Sequence, residues 1–129
     1  MRLLLDTHIA LWAAFDAPQL PPASAELIAN PINDIFVSTA SLWEIGIKSS
    51  IGKLELTATQ ASTVFDLCGY RSLDLTKLHA RTLDGLALNP NHKDPFDRML
   101  VAQSLSEGMT LLTADAKMSG YHPVLVRIV

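Results

Sequence analysis

A chain of 129 residues, 49% of them hydrophobic and with positive mean hydropathy, is long enough for one domain with a buried core, spanning residues 1–129. No apolar run approaches the roughly 18 residues of a membrane span, and MRLLLD reaches an acid too early for the apolar core of a secretory signal. Thirteen acids against ten Lys and Arg, a net charge of −3 and no basic run exclude nucleic-acid binding through bulk charge, so such a role would rest on a local site with metal ions supplying positive charge.

LLL at 3–5 is a short apolar run ending in Asp6, as a buried strand would read. HIALWAAF (8–15) has helical character and is closed by DAPQLPP, and PASAELIAN (22–30) predicts a second helix with Pro22 near its first position. DIFVS (34–38) favours a strand. SLWEIGIKSSIG (41–52) returns to helical spacing through Leu42 and Ile45, and ATQASTVFDLCGY (58–70) follows suit. SLDL (72–75) predicts a short strand and TKLHARTLDGLAL (76–88) a helix. After the loop NPNH, the stretch HKDPFDRMLVAQ opens a helix that runs to Glu107 and stops at Gly108. MTLLT (109–113) and VLVRIV (124–129) are the last strands.

Strands alternating with helices imply an α/β fold with a parallel sheet covered on both faces. Such sheets carry their sites outside the carboxyl ends of the strands, near a topological switch point. Four acids meet that condition. Asp6 closes the first strand, Glu44 lies in the first turn or so of the helix after DIFVS, Asp97 opens the helix in HKDPFDRML, and Asp115 follows MTLLT.

Each also has a plain structural reading. Asp6 is a turn residue beside Thr7. Glu44 ends a capping box, Ser41-Leu-Trp-Glu44, and precedes Lys48 by four residues in the favourable ion-pair order. Asp97 matches a helix dipole, and Asp115 is an N-cap. What the plain readings do not predict is all four at one edge of the sheet. Carboxylates brought together there repel and raise one another's pKa, a cost that a divalent cation removes; an all-oxygen set suits Mg²⁺ or Mn²⁺ rather than zinc. Asp94, before Pro95, reads as the N-cap of the helix that holds Asp97.

His8, His79, His92 and His122 lack zinc-ligand spacing and read as surface or hydrogen-bonding residues, with His92 kept as a substrate contact. Cys68 has no partner cysteine and, in VFDLCGY, reads as a core filler in a reduced, cytoplasmic protein. Neither a dinucleotide nor a P-loop glycine pattern is present. Thr7 and Thr113 serve equally to position a water or an acid and to cap backbone; Lys48, Arg98 and Lys117 read as ordinary ion pairs or solvated charges ahead of phosphate contacts.

Taken together, LLLDTH, SLWEI, DPFDRMLVAQ and LLTADAKM, in this order and spacing, resemble the PIN-domain ribonucleases, especially the VapC-type toxins of toxin–antitoxin pairs. The resemblance covers nearly the whole chain. It implies a three-layer α/β/α sandwich around a central parallel sheet, and Mg²⁺- or Mn²⁺-dependent cleavage of RNA. It carries metal-binding and catalytic roles onto Asp6, Glu44, Asp97 and Asp115, the last where the family is less uniform. It further implies a homodimer and a small antitoxin covering the active site. The high apolar fraction independently leaves more hydrophobic side chains than a small core needs, and the helices around Leu11–Phe15 and Ile45–Ile51 are the expected contact surface. Two other functions compete. A phosphotransfer domain of receiver or haloacid-dehalogenase type also sets acids at strand ends, but LLLDTH lacks the second nearby Asp and DIFVS ends in Ser38. A binding module that kept the fold and lost activity would not need all four acids.

Overall fold

A computed structural model describes residues 1–87, 94–121 and 125–129. The NPNH loop, His92, His122 and the first residue of the expected final strand lie outside the described residues. Five strands run β1 (Arg2–Leu5), β2 (Asp34–Ser38), β3 (Arg71–Leu73), β4 (Thr110–Thr113) and β5 (Val126–Ile128). All neighbours pair in parallel, in the order β3-β2-β1-β4-β5. Six α-helices occur among the described residues: α1 (Thr7–Ala14), α2 (Pro22–Ala29), α3 (Thr39–Ser50), α4 (Ala58–Leu67), α5 (Lys77–Thr82) and α6 (Pro95–Glu107).

Successive strand side chains alternate between two cores, as a pleated sheet buried on both faces requires. Leu3, Leu5, Ile35, Val37 and Leu112 face one layer and pack with Ile9 and Ala10 of α1, Ile45 of α3, and Ala61 and Phe65 of α4. Leu4 and Leu111 face the other, with Leu100 and Val101 of α6, Met109, Met118 and Val126. The result is the expected α/β/α sandwich. The chain steps from β1 to β2 to β3 through helices on one face, then returns across the sheet to β4 along the other. The strand order therefore reverses between β1 and β4, which is the switch point.

Where the helix limits differ from the sequence reading, local chemistry explains it. α3 begins two residues earlier because Ser38, the last residue of β2, caps it: the Ala40 N–H donates to Ser38 Oγ at 3.0 Å. Ser41 is therefore interior and no capping box links it to Glu44. α4 stops at Leu67 because Gly69 takes the left-handed conformation (φ +80°) and the Tyr70 N–H reaches back to the Phe65 carbonyl at 3.1 Å. Cys68 is left at the helix end and exposed, not in the core. The buried face of α4 instead carries Ala61 and Phe65, one helical turn apart. α5 gives way after Thr82 to a 3-10 turn, Leu83–Gly85, well short of residue 88.

His79 is fully buried and ties α5 to α6. The Thr76 N–H donates to its Nδ1 at 3.0 Å, so its proton sits on Nε2, 2.7 Å from Glu107 Oε1. Arg2, at the start of β1, donates to the Glu107 carbonyl at 2.9 Å. That contact sets the end of α6 at the amino edge of the sheet. Its thirteen residues climb about 20 Å, which delivers Asp97 to the carboxyl edge.

Candidate active site at the carboxyl edge of the sheet

Asp6 follows β1 at the switch point and is only 5% exposed. It caps α1, with Oδ1 accepting the Ile9 N–H at 2.8 Å, while the Thr113 hydroxyl, from the end of β4, donates to Oδ2. That same hydroxyl accepts the Asp115 N–H at 3.1 Å. Thr113 thus joins the two acids that flank the switch point. Burial pushes the Asp6 carboxyl above its ordinary value of 3.8; the Thr113 and Ile9 hydrogen bonds and His8 oppose the rise, and the Asp115 charge adds to it. Asp115 is half-buried and caps the 3-10 turn Ala116–Gly120 through the Lys117 N–H at 2.9 Å.

Glu44 lies in the second turn of α3, with its side chain 6% exposed. Its Oε1 is 2.8 Å from Thr7 Oγ1, which is also 2.9 Å from Ser41 Oγ. A carboxylate only accepts, so it takes the Thr7 proton and Ser41 donates to Thr7 in turn. Oε2 meets the Lys48 ammonium at 2.6 Å. The expected ion pair is present, but its acid is buried. Asp97 is the third residue of α6, half-buried. Beside these two acids, Trp43 and Phe96 pack edge to face at 5.1 Å and hold the start of α6 against α3. Asp94 is the N-cap of α6: Oδ1 accepts the N–H groups of Phe96 at 2.9 Å and Asp97 at 3.1 Å.

The four acids sit along one edge in separate settings. Asp6 and Asp115 are coupled through Thr113, Glu44 is bound to Thr7 and Lys48, and Asp97 stands on α6. Among the described residues no three Asp, Glu, His or Cys side chains are gathered as a group that could hold a metal ion. That arrangement is unlike the closed set that zinc requires. The donors are all oxygens, and Asp6 carries a desolvation cost that a cation would offset, so these residues fit a hard divalent ion.

Arg98 donates to the Ala87 and Leu86 carbonyls at 3.1 and 3.3 Å and lies 5.9 Å over the Tyr121 ring. It fastens α6 to the preceding segment. The part missed in the sequence was Ser41, whose hydroxyl supports Thr7; Ser38, at the strand end two residues before a helical run, was the signal that Ser41 is not the cap.

The chain belongs to the PIN domain family, whose pattern matches residues 3–121. Over 124 residues it is 26% identical to Ribonuclease VapC22 of Mycobacterium tuberculosis, an alignment covering 94% of this chain and 93% of that one. Its fold is also similar to a chain in the crystal structure of VapBC2 from Rickettsia felis bound to a DNA fragment from their promoter, at 19% identity with a TM-score of 0.67, covering 99% of this chain and 98% of the other. That likeness speaks for the fold alone. Membership in the PIN family removes the receiver and haloacid-dehalogenase alternatives. No helix among the described residues is long and apolar enough to cross a membrane.

Proposed function

We propose that this protein is an endoribonuclease that hydrolyses RNA phosphodiester bonds with Mg²⁺ or Mn²⁺, and that it is the toxin of a toxin–antitoxin pair acting in the cytoplasm. The observation that carries the reading is Asp6: an acid buried at the switch point, desolvated, yet held by Ile9 N–H and Thr113 and coupled to Asp115. A carboxylate kept in that position at that cost is one that a cation uses. The relative named a ribonuclease supports the class of substrate.

In this reading Asp6, Glu44 and Asp97 hold the ion, with Asp115 completing the site. When bound, the ion supplies Lewis acidity that activates water and offsets charge on the phosphate. The chain's own hydroxyls do the orienting. Thr113 fixes the Asp6 carboxylate and the Asp115 backbone together, and Thr7, backed by Ser41, fixes Glu44. Burial of Asp6 and Glu44 limits their motion, so the acids need little reorganisation when substrate arrives.

The antitoxin is proposed to cover the apolar groove lined by His8, Leu11, Trp12, Phe15, Leu54 and Leu56, which ends beside the site. Exposed Phe15, Trp43, Ile47 and Ile51 extend the apolar surface on α1 and α3, and a homodimer would use what the antitoxin leaves. RNA cleavage with Mg²⁺ or Mn²⁺, against chelator, tests the activity. Wild type should cut, and Asp6→Asn, Glu44→Gln and Asp97→Asn should not, with the fold intact by circular dichroism. Equal cleavage by all four proteins would refute it. Light scattering with and without a co-expressed partner tests the assembly; a lone monomer at high concentration that retains no partner speaks against both the dimer and the antitoxin.

A further inference from the structure

The Glu44–Lys48 pair differs from an ordinary surface pair on a helix. Most i,i+4 pairs have both partners solvated and contribute little. Here the acid is buried, with a side chain 6% exposed, whereas the Lys48 side chain is 39% exposed. Both acid oxygens are engaged, Oε1 by Thr7 at 2.8 Å and Oε2 by Lys48 at 2.6 Å. The two partners are not equally replaceable. Thr7 is buried in the first turn of α1, directly after Asp6, and moving it would disturb the packing around the switch point. Lys48 hangs on a flexible stem and lines an open groove with Thr7, His8, Leu11, Ile45, Lys53 and Leu54. A strongly hydrated point charge on a mobile stem is easily exchanged for another cation.

We infer that Lys48 is the resident counter-cation of Glu44, holding the carboxylate neutralised and in place until a divalent ion displaces it. This rests on the metal-dependent reading above and adds a role for a basic residue beside the acids. Without Lys48, Glu44 would be a buried charge whose only partner is a hydroxyl, a costly state. With it, the ion-free protein keeps Glu44 aimed at the site, and an incoming ion has to expel a positive charge to reach Oε2. Lys48 therefore sets how tightly the ion binds.

The test is Mn²⁺ binding to the full chain without RNA, followed by calorimetry, beside melting in chelator. Lys48→Gln should bind Mn²⁺ roughly tenfold more tightly, since the ion no longer has to break the Lys48–Glu44 contact to reach Oε2. Lys48→Arg, which keeps the charge, should stay near wild type. In a Glu44→Gln background, the additional Lys48→Gln change should leave the affinity as it was. Melting in chelator should show Lys48→Gln less stable than wild type and recovering most when Mn²⁺ is added. Lys48→Met, which preserves the aliphatic stem, replaces Lys48→Gln should the latter fold poorly. Affinity of Lys48→Gln equal to or below wild type overturns the inference. So does a tenfold gain that persists in the Glu44→Gln background, which would be a general charge effect. Mn²⁺ binding by wild type that is lost in Asp6→Asn, with no influence of Lys48, removes this role alone. No uptake by wild type or by Lys48→Gln removes the metal-dependent reading with it.

Discussion

Asp94 and Asp97 stand three residues apart at the start of α6 and should fail in different ways when replaced. Asp94 Oδ1 accepts two backbone N–H groups, from Phe96 and Asp97; Pro95, at the first helical position, has none to satisfy. Removing the side chain in Asp94→Ala leaves both donors to water. Because the cap is exposed, water can take over part of the task, so the cost should be about 1 kcal/mol, the middle of the range for lost caps. For a domain of this size that is a fall in melting temperature of about 3–5 °C. Asp94→Asn keeps the acceptor and gives up only the charge beside the helix dipole, roughly 0.5 kcal/mol. Both variants should retain appreciable RNA cleavage once folded. Asp97→Asn should change the stability of the metal-free protein by no more than about 0.5 kcal/mol, the size of the lost dipole interaction, yet it should abolish cleavage and weaken Mn²⁺ binding. Thermal melts in chelator and in Mg²⁺, run beside cleavage assays, measure both columns. An Asp94→Ala protein of wild-type stability and no activity would refute the division, and Asp94 would then belong to the site.

Asp6→Asn should stabilise the metal-free protein at neutral pH, since Asn keeps an acceptor for Ile9 N–H and has no charge to bury. The sign follows from the raised carboxyl pKa: wild type loses stability as pH rises from 3.8 through the higher folded value, so the advantage of Asn is complete above that value and absent below 3.8. Urea melts in chelator at neutral and acid pH would check it, and an advantage that grows on acidification would contradict it. His79→Ala removes a fully buried ring and takes the acceptor Nδ1 from the Thr76 N–H and from the Gln103 side-chain amide, 3.3 Å away, so it should cost about 3 kcal/mol by urea denaturation; a loss under 1 kcal/mol would show that the α5–α6 tie is dispensable. Cys68, exposed at the amino-edge end of α4, should be alkylated in the native protein without loss of cleavage, and slow labelling that needs denaturant would return it to the core.

Much of this protein was legible in the chain because its signals are local. The apolar run 3–5 closed by Asp6, the Asp94-Pro95 cap, and Gly108 at the end of α6 (φ +66°) each state their structure within a few residues, through backbone conformation and missing N–H groups. Alternation of strand and helix was enough for a parallel sheet, and that alone put Asp6, Glu44, Asp97 and Asp115 at one edge. The limits of α3 and α4 were less legible because competing caps stood close by: Ser38 against Ser41, and Gly69 against the apolar residues before it. What no local pattern contains is the return of the chain from β3 to β4 across the sheet. That crossing makes β1 and β4 neighbours, sets the Thr113 hydroxyl on Asp6 over a separation of 107 residues, and buries Asp6 enough to raise its pKa. The same long-range packing brought Thr7 to Glu44 across α1 and α3 and turned a familiar i,i+4 pair into a buried carboxylate with a movable cation. Charge and spacing could nominate the acids, but their burial, their partners and their separation into distinct settings depend on contacts between residues far apart in the chain, and only the folded molecule decides those.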